Sequence, residues 1–221
     1  MAELGVAPII PVGRPIEGKF TREEASKRLD SLLAHTDVIL GWRLPRDLIR
    51  RAPRLKWVQG MGAGIDLLSG TSGLMQSNLT LTNASGIQDT TMAEFVFCFI
   101  LMQAKKAKQL LANQAERRYK RFAGLEVKGK TIGIIGLGHI GGEVARLARA
   151  FGMKVLAMRK SATRHKKNVE GVDELFPPGQ LHQMLPQCDW VVLSVPLTPE
   201  TQGLIGEAQL RAMKPTAYII N

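Results

Sequence analysis

Residues 136–141 read Gly136-Leu137-Gly138-His139-Ile140-Gly141, directly after the apolar run Thr131-Ile132-Gly133-Ile134-Ile135. Gly is common, so G-x-G-x-x-G alone says little; a strand before it and a helix after it are what its mechanism requires. Gly136 permits the tight turn, Gly138 lets backbone approach a pyrophosphate, and Gly141 lets helix and strand pack closely. The helix start then offers unpaired amides and a partial positive charge to the phosphates. The loop therefore predicts a Rossmann-type site for a nicotinamide dinucleotide.

Such a fingerprint normally places a carboxylate about 20 positions on, at the end of the second strand, to bind the adenosine ribose. Here that end reads Met158-Arg159-Lys160-Ser161, with no carboxylate. Arg159 with Lys160 and Ser161, and with Arg164 nearby, would instead complement a 2′-phosphate, because guanidinium matches phosphate geometry. NADP(H) is accordingly expected over NAD(H).

The surrounding pattern fits an α/β chain with a doubly wound parallel sheet. Apolar strands are predicted at 131–135, 154–158, 190–195 and 217–220, with helices at 141–151, 181–185 and 207–213, as for a sheet covered on both faces. Before them, strands at 37–41, 55–59 and 79–83 and a short helix at 46–51 form a smaller α/β unit. Thr91 and Glu94 have the spacing of a capping box, which predicts a long helix from that point. Its first half, 95–102, is apolar on every side and expected buried; its second half is amphipathic. That connector sets the expected division into residues 1–90 and 91–221.

Composition excludes several classes. The chain has 221 residues, 45% of them hydrophobic, and can build a core rather than remain disordered. Its longest apolar stretch falls far short of the roughly 18 residues that span a bilayer. No basic region followed by an apolar core opens the chain, so neither a secretory signal nor a membrane is expected. Cys98 and Cys188 both lie in apolar contexts and read as inert packing, which suits a reducing cytoplasm. No metal-ligand spacing occurs. The formal net charge of +11 asks for an anionic partner, but the bases are scattered over helices without a nucleic-acid motif, so solvated faces are the favoured explanation.

Four stretches, 60–66, 128–141, 189–201 and 213–221, together resemble the D-isomer-specific 2-hydroxyacid dehydrogenases, a family that includes glyoxylate/hydroxypyruvate reductases and phosphoglycerate dehydrogenases. The resemblance implies an oxidoreductase that transfers hydride between a nicotinamide and a small 2-keto or 2-hydroxy acid. It implies a Rossmann domain beside a smaller flavodoxin-like substrate domain, both incomplete here, and a homodimer formed through the nucleotide domain. It assigns the substrate carboxylate to backbone amides at Met61, Gly62, Ala63 and Gly64. His139 and Ile140 fall on positions whose amides hold pyrophosphate, while Val195, Pro196 and Thr201 line the cofactor. His35, His165 and His182 match no catalytic position and read as surface or packing residues.

The family's proton transfer uses an Arg, a Glu and a His, all placed by the resemblance beyond Asn221. No catalytic residue is therefore assigned within this chain, and a fragment without turnover is expected. The family's opening strand and helix are likewise not found before Val6. The alternative is a non-catalytic regulator or pseudoenzyme that keeps the dinucleotide site.

Overall fold

The computed structural model describes residues 21–64, 68, 70–169 and 171–221. Ile65 and Asp66 of the first glycine turn, the opening residues and the expectation placed before Val6 lie outside that range. The chain divides into two compact units, one ending at Ile87 and the other running from Gln88 to Asn221.

The first unit opens with helix α1, Arg22–Leu33, which the sequence reading did not find. Thr21 caps it: its hydroxyl accepts from the Glu24 N–H while Glu24 accepts from the Thr21 N–H at 2.7 Å. That reciprocal pairing satisfies two donors a helix start would otherwise leave open. Strands β1 (Val38–Gly41), β2 (Trp57–Gly60) and β3 (Thr80–Thr82) follow, with helix α2 (Leu48–Arg51) between the first two. They pair in parallel in the order β1-β2-β3. The core gathers Leu33, Leu48, Ala52, Leu55, Val58, Leu68 and Leu74 on one face of this sheet.

The second unit begins with helix α3, Asp89–Ala104, and helix α4, Ala107–Ala115. Two expectations fail here. The cap is Gln88 and bonds through no side chain, so Thr91 and Glu94 lie inside the helix and form no capping box. The apolar half is also not buried all round. Ala93, Val96, Phe97, Ile100 and Ala104 are buried, whereas Phe95 and Phe99 are 57% and 55% exposed and Cys98 is exposed too. Helical spacing explains this, since positions 95, 99 and 102 form one stripe facing away from the sheet and 93, 97, 100 and 104 another facing it. Lys106 adopts a left-handed conformation, φ 54°, and breaks the expected single helix in two.

Strand β4 (Thr131–Ile135), helix α5 (His139–Ala150), strand β5 (Lys154–Met158), strands β6 (Lys166–Val169) and β7 (Val172–Phe176), helix α6 (Leu181–Met184), strand β8 (Trp190–Leu193), helix α7 (Glu207–Ala212) and strand β9 (Tyr218–Ile220) complete the unit. The sheet order is β6-β7-β5-β4-β8-β9, all parallel except β6, which pairs antiparallel with β7. Ile132, Ile134, Val155 and Ala157 pack against α3 and α5 on one face. Ile135, Leu156, Met158, Leu181, Met184, Cys188 and Val191 pack on the other. Alternate residues of one strand thus serve two cores, which is why these strands are apolar past Thr131 and Lys154 at their amino ends. Each fully buried Ile of β4 contributes about 1.5–3 kcal/mol. The β6–β7 hairpin occupies a stretch to which the sequence pattern assigns no element.

Asp189 bolts the amino ends of this sheet together. One oxygen accepts the Thr131 N–H at 2.8 Å, and the other accepts from the Lys214 ammonium at 2.9 Å.

Candidate functional site

The order in which strands are added to the larger sheet reverses between β4 and β8: connections from β4 lead to β5 and β7 on one side, and the chain then crosses to β8 and β9 on the other. In an open parallel sheet the crevice at the carboxyl ends of the strands flanking such a reversal is where ligands bind. The segment 136–141 follows β4 at this place, and the segment 194–205 follows β8.

Two glycines of the first segment have a steric reason and the remaining one does not. Gly136 has φ +102°, and a Cβ there would stand 2.6 Å from the Ser194 carbonyl oxygen and 2.8 Å from Val195 Cγ1. A Cβ on Gly141 would overlap the Gly136 carbonyl oxygen. Gly138 is different, because a Cβ there would meet nothing within 4 Å. Gly136 and Gly141 let the loop fold onto β8 and α5; Gly138 leaves open space above the backbone. Gly138 is the N-cap of α5, and the first bond of that helix runs from the Gly142 N–H to the Gly138 carbonyl at 2.8 Å. The N–H groups of His139, Ile140 and Gly141 have no acceptor among the described residues. Open space beside three unpaired donors fits a pyrophosphate.

The residues after β8 brace the loop. Ser194 Oγ donates to the Gly136 carbonyl at 2.7 Å, a role that sequence reading missed. The Thr201 hydroxyl donates to the Pro196 carbonyl at 2.6 Å and accepts the Thr198 N–H at 2.8 Å, closing a turn. Val195 lies against Gly136, and Pro196 is exposed. His139 is exposed at the first position of α5, with Nδ1 3.7 Å from Asp89 Oδ2 at the start of α3. Asp89 carried no signal in the sequence beyond its place before an apolar run.

At the end of β5, Arg159, Lys160 and Ser161 are all exposed. The Arg159 N–H donates to the Phe176 carbonyl at 3.3 Å, and the Ala162 N–H closes a turn onto the Arg159 carbonyl at 3.0 Å. Lys160 lies close enough to Glu200 to lower that carboxyl, after its bonds to Thr198 and to its own backbone. No carboxylate stands at the end of β5 itself.

In the first unit the turn after β2 holds Met61, Gly62, Ala63 and Gly64. The Met61 amide is already used, donating to the Gly41 carbonyl at 3.0 Å. That corrects the expected set of four donors, because extension of the β1–β2 ladder consumes the first of them. The Gly62, Ala63 and Gly64 N–H groups have no acceptor among the described residues. Their carbonyl side is tied down: Gly62 accepts the Ala84 N–H at 3.0 Å, and Ala63 accepts from Asn83 Nδ2 at 2.7 Å.

Neither cysteine joins a site. Burial against Gly133 and Met184 pushes the Cys188 thiol up to about 12, which keeps it protonated and unreactive. Among the described residues no group of three or more His, Cys, Asp or Glu side chains could hold a metal, and no helix is long and apolar enough to cross a membrane.

Comparison with known proteins gives consistent findings. Residues 97–221 match the model of the D-isomer specific 2-hydroxyacid dehydrogenase, NAD binding domain. The chain is 34% identical over 219 residues to a glyoxylate reductase of Thermococcus gammatolerans, covering 94% of this chain and 63% of that one. It is 31% identical over 207 residues to a D-3-phosphoglycerate dehydrogenase of Methanocaldococcus jannaschii, covering 91% and 38%. The chain thus spans 38% to 63% of the length of these curated relatives. Among solved structures it resembles an NADPH-dependent glyoxylate/hydroxypyruvate reductase from Sinorhizobium meliloti in complex with NADP and sulfate, with TM-score 0.70, 29% identity and coverage of 81% and 55%. It also resembles a D-lactate dehydrogenase from Aquifex aeolicus complexed with NAD and lactic acid, with TM-score 0.73, 26% identity and coverage of 87% and 58%.

Proposed function

The chain belongs to the D-isomer specific 2-hydroxyacid dehydrogenase family, and from that premise we propose that it holds NADP(H) for the reduction of a small 2-keto acid. The observation that carries this reading is the space above Gly138 beside the unpaired amides of His139, Ile140 and Gly141. A bound dinucleotide would supply the hydride. The chain's own residues would do the rest of the holding: Gly136 and Gly141 keep the loop closed, Ser194 clips it, and Val195, Pro196 and Thr201 line the crevice. In the first unit, the Gly62, Ala63 and Gly64 amides are proposed to receive the substrate carboxylate, with residues 1–90 as the substrate domain and 91–221 as the dinucleotide domain.

Preference for the phosphorylated cofactor is supported by Arg159, Lys160 and Ser161 at the end of β5, where a carboxylate would otherwise repel a 2′-phosphate. The two structural neighbours hold NADP and NAD respectively, so the support comes from these residues and not from likeness. We further propose a cytoplasmic homodimer in which a second copy covers Phe95 and Phe99 of α3. No residue of this chain is proposed as the proton donor.

One measurement tests the reading. Fluorescence titration should give tighter binding of NADPH than of NADH, and Arg159→Asp should reverse that order by about tenfold, the equivalent of 1.4 kcal/mol; equal affinities in the unmodified chain would sink the preference.

A further inference from the structure

Residues 159–165 carry the chain from β5 across β7 to β6, and Phe176 touches both ends of that connection. Register pairs Met158 with Phe176 across β5 and β7, and Lys166 with Leu175 across β6 and β7. His165 therefore lies next to Phe176 at the carboxyl ends of β5 and β7, on the edge that carries Arg159. Its ring stacks on the buried Phe176 ring with centroids 4.3 Å apart and an interplanar angle of 20°. His165 Nε2 also stands 2.9 Å from Glu174 Oε2. The hydrogen bond from Lys154, donated to Glu174 Oε1 at 2.8 Å, keeps that carboxyl ionised. The carboxylate can only accept, so the His165 N–H donates. At the other end the Phe176 carbonyl accepts the Arg159 N–H.

We propose that His165 is a positioning residue for cofactor selectivity: clamped to Phe176 and Glu174, it holds Arg159, Lys160 and Ser161 in the arrangement that receives a 2′-phosphate. The proposal rests on the reading of Arg159 given above. Its physical basis is preorganisation. Arg159, Lys160 and Ser161 are exposed, so ordering them on binding costs side-chain and backbone freedom that a fixed loop end has already surrendered. The pyrophosphate loop follows β4, a different strand, and meets this end of the sheet through the Gly136 N–H bond to the Met158 carbonyl and not through His165. Loss of the clamp therefore weakens the cofactor that carries a 2′-phosphate and spares the one that lacks it.

Titration of NADPH and NADH against the unmodified chain, His165→Ala, His165→Gln, His165→Phe and Arg159→Ala tests this. His165→Ala should weaken NADPH about fivefold, the worth of one hydrogen bond, and leave NADH within about twofold. His165→Gln, which keeps a donor toward Glu174, should recover part of the loss. Unchanged NADPH affinity in His165→Ala, or equal losses for both cofactors, would overturn the positioning role. Should the alanine variant not fold, His165→Phe keeps the ring on Phe176 and removes the bond to Glu174; a lowered NADPH-to-NADH preference supports the role and an unchanged one overturns it. Arg159→Ala separates the two readings. If it leaves the preference intact, the Arg159 reading falls and the His165 role with it. If it abolishes the preference while His165→Ala leaves the preference unchanged, only the His165 role falls.

Discussion

The two glycine-rich turns, one after β2 and one after β4, look alike in sequence and differ in what makes them glycine. After β4, an added Cβ collides with backbone: the Ser194 carbonyl at Gly136 and the Gly136 carbonyl at Gly141. After β2, it meets side chains, Leu68 Cδ1 at 3.0 Å from Gly60 and the Trp42 ring at 3.1 Å from Gly62. Backbone cannot step aside without moving a strand or helix, whereas a side chain can turn. A loop of the first kind is dictated by the fold around it and announces itself by spacing; a loop of the second kind is negotiable and does not.

Substitutions can break that contrast. The largest effect is expected at Gly141→Val, which should lower stability by 3 kcal/mol or roughly that amount and cost at least about 100-fold in NADPH affinity, because overlap with backbone cannot relax. Chemical denaturation and cofactor titration would check it. A variant with near-normal affinity would mean that the loop adapts as freely as the other.

Next comes the bolt at Asp189, where alanine leaves the Thr131 N–H and the Lys214 ammonium without their acceptor and should cost about 2 kcal/mol. The same carboxylate sets a pH dependence. Burial raises its pKa, but the bonds from Lys214 and Thr131 outweigh this and leave it lowered; Glu174 is likewise lowered, first by Lys154. A carboxyl depressed in the folded state contributes stability above its unfolded value, and that contribution is lost as pH falls through the folded value. The larger unit should therefore weaken below about pH 4. Denaturation midpoints from pH 7 to pH 3 would show it, with a shallower decline in Asp189→Ala.

Smaller effects belong to the first unit. Thr21→Ala removes one half of a capping box and should cost about 1 kcal/mol, seen as faster amide exchange in the first turn of α1. Gly62→Ala needs only a small shift of Trp42 and should stay within about 1 kcal/mol with cofactor affinity unchanged. A loss at Gly62 as large as at Gly141 would erase the distinction between the turns.

The same distinction explains what could be read in the sequence. Strands β4, β5 and β8 are buried on both faces, so past Thr131 and Lys154 at their amino ends their residues are apolar, and their glycine loop has fixed spacing. The hairpin of β6 and β7 was not legible, because Lys166, Lys167 and Asn168 on the edge strand are exposed and need no apolar pattern. Helix α1 was legible in principle through Thr21 and Glu24, yet the same spacing at Thr91 and Glu94 lies inside a helix; the motif works only where Thr has extended backbone. The exposed stripe of α3 could not be found by composition, since Phe95 and Phe97 are identical as residues and only packing tells them apart. Ser194 acts through a bond to Gly136, far away in sequence, and His165 through a bond to Glu174 on the neighbouring strand, pairings that no local pattern records.

Amide hydrogen exchange of the chain with and without NADPH addresses the central claim most directly, because the proposed donors are backbone N–H groups. Binding as proposed predicts marked slowing at His139, Ile140 and Gly141, whose amides have no acceptor among the described residues. Saturable NADPH binding with unchanged exchange at those three positions would contradict it.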